Sequence, residues 1–111
     1  MADWYLAVDL GNGGPKVAAV GADDALLAVA FRPVSVHVGL DGAATQDAAE
    51  WWRQVVDAAR EVVDAAGVGP AHLRGVGITG QWGSTVPVDA AGEPVGPVLL
   101  WADTRGGRHS R

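Results

Sequence analysis

Long apolar runs without polar alternation predict buried strands near the start of the chain. Such runs occupy positions 4–8 and 17–20, and the segment 25–32 predicts a third strand after a turn at Asp23-Asp24. A further strand is predicted for 73–80, where three glycines allow close approach of the backbone. The first three strands form a meander that begins at a glycine-rich turn.

A different period, of three and four residues, predicts one amphipathic helix in the middle of the chain. Its apolar positions are 48, 52, 55, 59, 62 and 66, and Gly67 ends it. Asp47 is predicted to cap the helix, with Glu50 closing a capping box. Because adjacent helical positions diverge by about 100°, Trp51 and Trp52 cannot both line one pocket. The period assigns Trp52 to the core, and we interpret the pair as packing.

The remaining segments have weaker patterns. Residues 33–46 are predicted to be irregular, and 85–88 and 95–101 are predicted to pair as strands around a five-residue connector. Pro87 and Pro97 each lack a backbone donor, which favours an edge or a bulge at those points. After Trp101, Asp103 or Thr104 is predicted to cap a helix that includes Arg105.

The glycine-rich turn carries the clearest candidate chemistry. Asp9 follows the first apolar run, Gly11, Gly13 and Gly14 permit unusual backbone angles, and Lys16 adds a cation, so the turn can cradle a phosphate. A Walker A loop would need a serine or threonine after the lysine, and a dinucleotide fingerprint would need a third glycine before a helix. Both are excluded. An ordinary turn with a solvated aspartate remains the alternative.

Composition limits the partners of this chain. Its formal net charge is −5, so attraction to nucleic acid or to an anionic membrane is not expected. The absence of cysteine excludes disulfides, cysteine-ligated zinc and thiol nucleophiles, and His37 has no second ligand at metal-binding spacing. No basic leader and no membrane-length apolar run is present, which is typical of a cytoplasmic protein.

Four motifs in order along the chain resemble those of the FGGY carbohydrate kinases, in particular xylulokinase-like members. They are the loop 9–16, the helix start 47–52, the strand end 77–81 and the segment 100–105. The family belongs to the actin-like ATPase superfamily. The resemblance therefore implies an α/β domain of the actin-like (ribonuclease H-like) class, with a mixed sheet and a flanking helix. It also implies that residues 1–111 are the N-terminal part of the first of two domains, so the second domain and the catalytic aspartate would lie beyond Arg111.

The resemblance assigns roles to individual residues. ATP phosphates would be bound by the loop residues Gly11, Asn12, Gly13, Gly14 and Lys16, and Mg²⁺ by Asp9, through water. A sugar would be bound by residues that follow two later strands, namely Gln81, Trp82, Gly83, Asp103 and Arg105. The chain alone is expected to be inactive, and the resemblance allows a homodimer of the intact enzyme.

The substrate is predicted from the residues after Gln81. Glycerol kinases usually carry Arg-Glu there and xylulokinases Met-His-Gly, whereas this chain has Trp82-Gly83-Ser84. The missing Arg-Glu pair argues against glycerol, and a ketopentose such as xylulose is the leading expectation. The alternative is a non-catalytic nucleotide-binding or regulatory protein of the same superfamily, because Asn12 replaces a usual threonine and Pro15 removes an N–H beside Lys16.

Overall fold

A computed structural model of the chain describes residues 2–110, and it contains two sheets and one long helix. The elements are, in chain order, β1 (Trp4–Gly11), β2 (Gly14–Gly21), β3 (Leu26–Phe31), β4 (His37–Val38), β5 (Ala44–Gln46), α1 (Ala48–Ala66), β6 (Leu73–Thr79) and β7 (Val98–Leu99). The four-stranded sheet has the order β3-β2-β1-β6, and the three-stranded sheet has the order β4-β5-β7.

The larger sheet is mixed. Strands β1, β2 and β3 form the predicted antiparallel meander, whereas β6 returns after α1 and pairs with β1 in parallel. A parallel pair needs a crossover connection, and α1 supplies it. The parallel pairing places the ends of β1 and β6 at the same edge of the sheet, beside the glycine-rich turn.

The helix covers one face of this sheet and forms the main core. Trp4, Val17 and Val62 are almost completely buried there, and Ala19 and Ala58 have no exposed surface. Both alanines belong to the core between the helix and the sheet, and they let α1 lie close to β2 because neither side chain extends beyond its Cβ. The position of the helix therefore depends on small residues in the central strand.

The ends of α1 follow the sequence signals only in part. Asp47 accepts a hydrogen bond from the Ala49 N–H at 2.8 Å, and Gly67 takes the left-handed conformation with φ of 64°. Both caps are confirmed. The predicted capping box is wrong, however, because the Glu50 carboxylate accepts from the Ser35 N–H at 2.9 Å. Glu50 thus ties the preceding loop to the first turn of the helix.

The two adjacent tryptophans have the opposite environments from those predicted. Trp52 is 69% exposed, whereas Trp51 packs on a second cluster of buried residues, Ala44, Val98 and Leu100. Positions 48, 51, 55, 58 and 62 also satisfy a period of three and four, so the pattern admitted two neighbouring stripes. The second sheet lies at the first turn of α1, and packing against it selects Trp51.

The segments around the second sheet correct two further predictions. Residues 33–46 contain β4 and β5 rather than irregular chain alone, and the strands predicted at 85–88 and 95–101 reduce to β7 and isolated bridges, Thr85 with Leu99 and Val88 with Pro94. The pairing predicted for these two segments is present, but prolines at 87, 94 and 97 remove the donors that a continuous ladder needs.

The helix predicted to include Arg105 does not form. The structure has a turn there, followed by one 3₁₀ turn at Gly107–His109. Gly106 and Gly107 are adjacent, and each costs about 1 kcal/mol in a helix interior relative to alanine. Asp103 accepts from the Arg105 N–H at 3.1 Å, so its carboxylate closes a local turn instead of capping a helix.

The other face of the larger sheet is uncovered by any described residue. Apolar side chains there are well exposed, with Leu26 at 65%, Val29 at 53% and Phe31 at 53%. Asp9 and Lys16 are also exposed. Among the described residues, none of the helices has the length and hydropathy that crossing a membrane requires.

Candidate functional site

A row of chemically distinct side chains crosses the larger sheet where its central strands end. The strand registers place Phe31 beside Lys16, Lys16 beside Asp9, and Asp9 beside Thr79. Cross-strand partners lie on the same face of a sheet and within reach of one another. We call Lys16, Asp9 and Thr79 the polar row. It brings a cation, a carboxylate and a hydroxyl to one exposed edge.

The polar row borders an open depression of about 560 Å³ on the uncovered face. Asp9, Lys16 and Thr79 line one part of it, and the remainder is mostly apolar sheet surface. Within residues 2–110, Lys16 forms no ion pair with a carboxylate, so its ammonium is available to an anionic ligand. An anion that entered this depression would meet Lys16 directly.

The turn between β1 and β2 is compact, and one glycine is required for a reason unrelated to ligand approach. Gly14 has φ of 137°, and a Cβ there would lie 1.9 Å from the Arg32 carbonyl oxygen. By contrast, the nearest contact of a Cβ at Gly13 would be the Phe31 ring at 3.9 Å. Gly14 is therefore needed to let the chain after β3 pass the turn, whereas Gly13 leaves space above the turn.

Two glutamine side chains donate hydrogen bonds to carbonyl groups of this turn. Gln46 Nε2 donates to the Asn12 carbonyl at 2.7 Å, and Gln81 Nε2 donates to the Gly11 carbonyl at 3.1 Å. The two side chains are also joined, because Gln81 Nε2 donates to Gln46 Oε1 at 2.9 Å. In the described part of the chain, the N–H groups of Asn12 and Gly13 donate to no protein acceptor. These two donors are available to a ligand.

A second depression, of about 380 Å³, lies beside the turn. It is lined by Asn12, Gln81, Trp82 and Trp101, and the two indoles are 84% and 58% exposed. Gly83 has φ of 70°, and a Cβ there would lie 3.4 Å from the Trp101 Cβ. This glycine allows the chain to turn sharply between the two tryptophans, which then present apolar ring faces beside the amide groups of Asn12 and Gln81.

The polar groups of Gln81 are largely used within the protein. Both N–H bonds of its amide donate to protein oxygens, and its Oε1 accepts from the Ser84 hydroxyl at 2.7 Å. A carbonyl oxygen has a second lone pair, so Gln81 can still accept one hydrogen bond from a ligand hydroxyl. It has no donor left to offer.

Asp103 and Arg105 form a local ion pair beside strand β5 of the second sheet. Arg105 Nη2 lies 2.7 Å from Asp103 Oδ2, and that carboxylate also accepts from the Ala44 N–H at 3.0 Å. The Arg105 guanidinium and these backbone donors hold the pKa of Asp103 well below its usual range. Asp103 therefore stays ionised and anchors β5, while its partner Arg105 is 41% exposed.

Metal-binding groups are sparse near the site. No cluster of three or more His, Cys, Asp or Glu side chains able to hold a metal occurs among residues 2–110. Asp9 is an exposed carboxylate beside Lys16 and a hydroxyl. Mg²⁺ is commonly held by one or two carboxylates together with substrate phosphates and water, and one exposed carboxylate beside a phosphate-sized turn fits that coordination.

The structure brings the predicted site residues into two neighbouring groups. Asp9, Lys16 and the glycine turn form one, and Gln81, Trp82 and Gly83 form the other, joined through the bond from Gln81 to Gly11. Asp103 and Arg105 pair with each other, and neither lines the depression beside the turn.

The sequence interpretation missed Gln46 and Thr79. Thr79 ends a strand that is parallel to the strand carrying Asp9. Parallel strands end at the same edge of a sheet, and that rule was the available signal. Gln46 had no such signal, because its burial depends on contacts far along the chain.

Comparison with known proteins gives a consistent result. The family described as the FGGY family of carbohydrate kinases, N-terminal domain, matches residues 4–109. A glycerol kinase of Xanthobacter autotrophicus is 31% identical over 106 residues, covering 95% of this chain and 21% of that protein. The D-ribulokinase YDR109C of Saccharomyces cerevisiae is 30% identical over 115 residues, covering 94% of this chain and 16% of that protein.

A solved structure shows the same arrangement of elements. The xylulose kinase of Rhodospirillum rubrum superposes with a TM-score of 0.82 at 26% identity, over 95% of this chain and 22% of that chain. The predicted fold class, the mixed sheet with a flanking helix that begins an actin-like ATPase domain, is confirmed. The chain spans about a fifth of the length of the glycerol kinases it matches.

Proposed function

The chain belongs to the FGGY family of carbohydrate kinases, and from this premise we propose that the whole protein transfers the γ-phosphate of ATP to a hydroxyl of a sugar, with a ketopentose such as xylulose as the substrate. The observation that carries the proposal is the adjacency of two sites at one turn. The Lys16 side of the turn suits phosphate, and the Trp82 side suits a sugar. Residues 1–111 would supply the N-terminal part of the first of two domains.

The phosphate side would act through charge and orientation. The Lys16 ammonium and the N–H groups of Asn12 and Gly13 would neutralise charge on the phosphates as it shifts during transfer. Asp9 would hold Mg²⁺ through water, and the ion, when bound, would offset phosphate charge. These groups lie on strand ends and a tight turn, so little reorganisation is needed when ATP binds.

The sugar side would position the attacking hydroxyl. The exposed faces of Trp82 and Trp101 can pack against the C–H groups of a sugar, and Gln81 Oε1 can accept a hydrogen bond from one of the sugar hydroxyls. The hydroxyl oxygen would form a bond to the γ-phosphorus as the bond to the bridging oxygen of ADP breaks. We propose that the proton of this hydroxyl passes to an aspartate beyond Arg111. The 111-residue chain would therefore be inactive by itself.

Two observations favour a ketopentose over glycerol, although glycerol kinases are among the similar proteins. The chain lacks the Arg-Glu pair that glycerol kinases usually carry after the equivalent glutamine, and Trp82-Gly83 stands there instead. Two exposed indoles also line the depression of about 380 Å³, and their flat apolar faces suit the larger C–H surface of a five-carbon sugar.

The proposal is tested by measuring ADP release by the whole protein with a panel of acceptors. D-xylulose, D-ribulose, D-gluconate and glycerol would each be supplied with ATP and Mg²⁺, and kcat/KM compared. We expect a ketopentose to have the highest value. A higher value for glycerol would overturn the substrate, and ATP binding without transfer to any acceptor would favour the non-catalytic alternative.

The proposed setting follows from the same premise. Substrates of this kind are soluble small molecules, and we propose that the protein works in the cytoplasm without nucleic-acid or membrane partners. A homodimer of the whole enzyme is a further proposal, which sedimentation of the whole protein would test.

A further inference from the structure

We propose that Gln46 is a positioning residue for the phosphate-binding turn, acting directly on the Asn12 carbonyl and oriented by Trp51. Gln46 is the buried polar side chain of the described residues, with 1% of its surface exposed. Such a group is costly to bury unless every polar atom is paired. All of its partners lie at or next to the turn and the helix start. The inference rests on the proposed function and adds a residue to it.

The direction of each hydrogen bond in this network is determined by chemistry. Trp51 Nε1 can only donate, and it donates to Gln46 Oε1 at 2.9 Å. The Gln46 amide nitrogen must then face the opposite way, where it meets the Asn12 carbonyl, which can only accept. A side-chain amide such as that of glutamine offers an acceptor at one atom and donors at the other.

The same logic extends to Gln81. Its amide nitrogen faces two acceptors, the Gly11 carbonyl and Gln46 Oε1, so its oxygen must face the Ser84 hydroxyl, which donates. The assignments agree throughout: Trp51 and Gln81 both donate to Gln46 Oε1, and the Ser84 hydroxyl donates to Gln81 Oε1. Four side chains from three separate parts of the chain are held in one orientation.

The network determines which way the turn presents its N–H groups. In a trans peptide, the carbonyl of one residue and the N–H of the next point in opposite directions. Because Gln81 and Gln46 hold the Gly11 and Asn12 carbonyls, the N–H groups of Asn12 and Gly13 point away from the glutamines. Neither of these two N–H groups donates to a protein acceptor in the described part of the chain. Gln46 therefore keeps the anion-binding donors facing outward.

The test replaces Gln46 in the whole protein and measures nucleotide and sugar binding separately. Gln46→Met keeps the length of the side chain and removes both polar atoms, and Gln54→Met makes the same change on α1 away from the turn. We expect Gln46→Met to raise the Kd of a non-hydrolysable ATP analogue at least about tenfold, while the Kd of the sugar changes less than about threefold. Gln54→Met should change neither.

The order of the turn can also be measured directly by NMR, independently of activity. In protein labelled with ¹⁵N-asparagine, the Asn12 amide signal is identified by its loss in Asn12→Asp, and its heteronuclear NOE reports the order of the turn. We expect this NOE to fall in Gln46→Met and, by a smaller amount, in Trp51→Phe, which removes only the indole donor. If Gln46→Met does not fold, Trp51→Phe serves as the test variant instead.

The outcomes separate the two proposals. An unchanged analogue Kd together with an unchanged NOE in a folded variant would overturn the role of Gln46. If the unsubstituted protein bound no ATP analogue, the proposed function would fail, and the NOE would still decide whether Gln46 orders the turn. Equal weakening of sugar and nucleotide binding would mean that Gln46 only supports the fold, and it would likewise overturn the positioning role.

Discussion

The Arg105 guanidinium binds the Asp103 carboxylate two residues earlier, with Nε donating to both carboxylate oxygens at 3.1 and 3.2 Å and Nη2 to one at 2.7 Å. The pair is more than a surface ion pair, because only 8% of the Asp103 side chain is exposed and its carboxylate also anchors Ala44 on β5. Arg105 therefore orients the segment after Trp101 against the second sheet.

This arrangement predicts how stability depends on pH. The pKa of Asp103 is lowered in the folded protein, chiefly by Arg105, so its contribution is present above the ordinary carboxyl pKa and is lost as pH falls below about 4. Asp103→Asn should lower the free energy of unfolding at pH 7 and flatten its decline on acidification. The measurement is denaturant unfolding at pH 7 and pH 3. An equal loss of unfolding free energy between pH 7 and pH 3 in both proteins would contradict the prediction.

Asp9 is predicted to matter for phosphate transfer and not for sugar binding. Asp9→Asn keeps the shape of the side chain and removes the charge that attracts Mg²⁺, so kcat of the whole protein should fall about a hundredfold or more. The sugar Kd measured without nucleotide should stay within about twofold. Asp64→Asn, at an exposed position on α1, is the matched control. If the variant lost sugar affinity but kept its turnover, the assignment of Asp9 to the phosphate side would be wrong.

Gly14 and Gly13 are predicted to differ sharply in their tolerance of a methyl group. Gly14→Ala places a Cβ 1.9 Å from the Arg32 carbonyl and strains a φ of 137°, so it should cost about 3 kcal/mol or more in the free energy of unfolding. Gly13→Ala meets nothing closer than 3.9 Å and should change stability by less than about 1 kcal/mol. Similar losses for the two would refute the role given to Gly14.

Trp82 is predicted to contact the sugar. Because it is 84% exposed, Trp82→Ala should leave the melting temperature nearly unchanged. It should raise the Kd of the sugar roughly ten- to hundredfold, which corresponds to about 1 to 3 kcal/mol, with ATP binding little affected. Trp52→Ala, at another exposed tryptophan, controls for loss of an indole from the surface. An unchanged sugar Kd would remove Trp82 from the site.

Much of the fold could be predicted because the signals are local. The apolar run 17–20 predicts a strand from its own residues, although only Val17 and Ala19 of the run are buried. Gly67 ends α1 because it takes the left-handed conformation at little cost. The two adjacent tryptophans were assigned wrongly because a period of three and four suits both neighbouring stripes. Only the position of the second sheet, built from residues 37–46 and 98–99, decides between Trp51 and Trp52.

By itself, the sequence determined the strands of the larger sheet and the caps of α1, because each depends on residues within a few positions of one another. The phosphate chemistry of the glycine turn stays a prediction from equally local signals. Tertiary structure alone decided that Thr79 lies beside Asp9, and that Gln46 is buried under Asn12. The first relationship depends on the register of a parallel pair whose strands are joined through α1. The second depends on hydrogen-bond partners that lie 5 to 35 residues from Gln46 in the sequence. These partners surround Gln46 only after the helix, the turn and the loop after β6 have packed together.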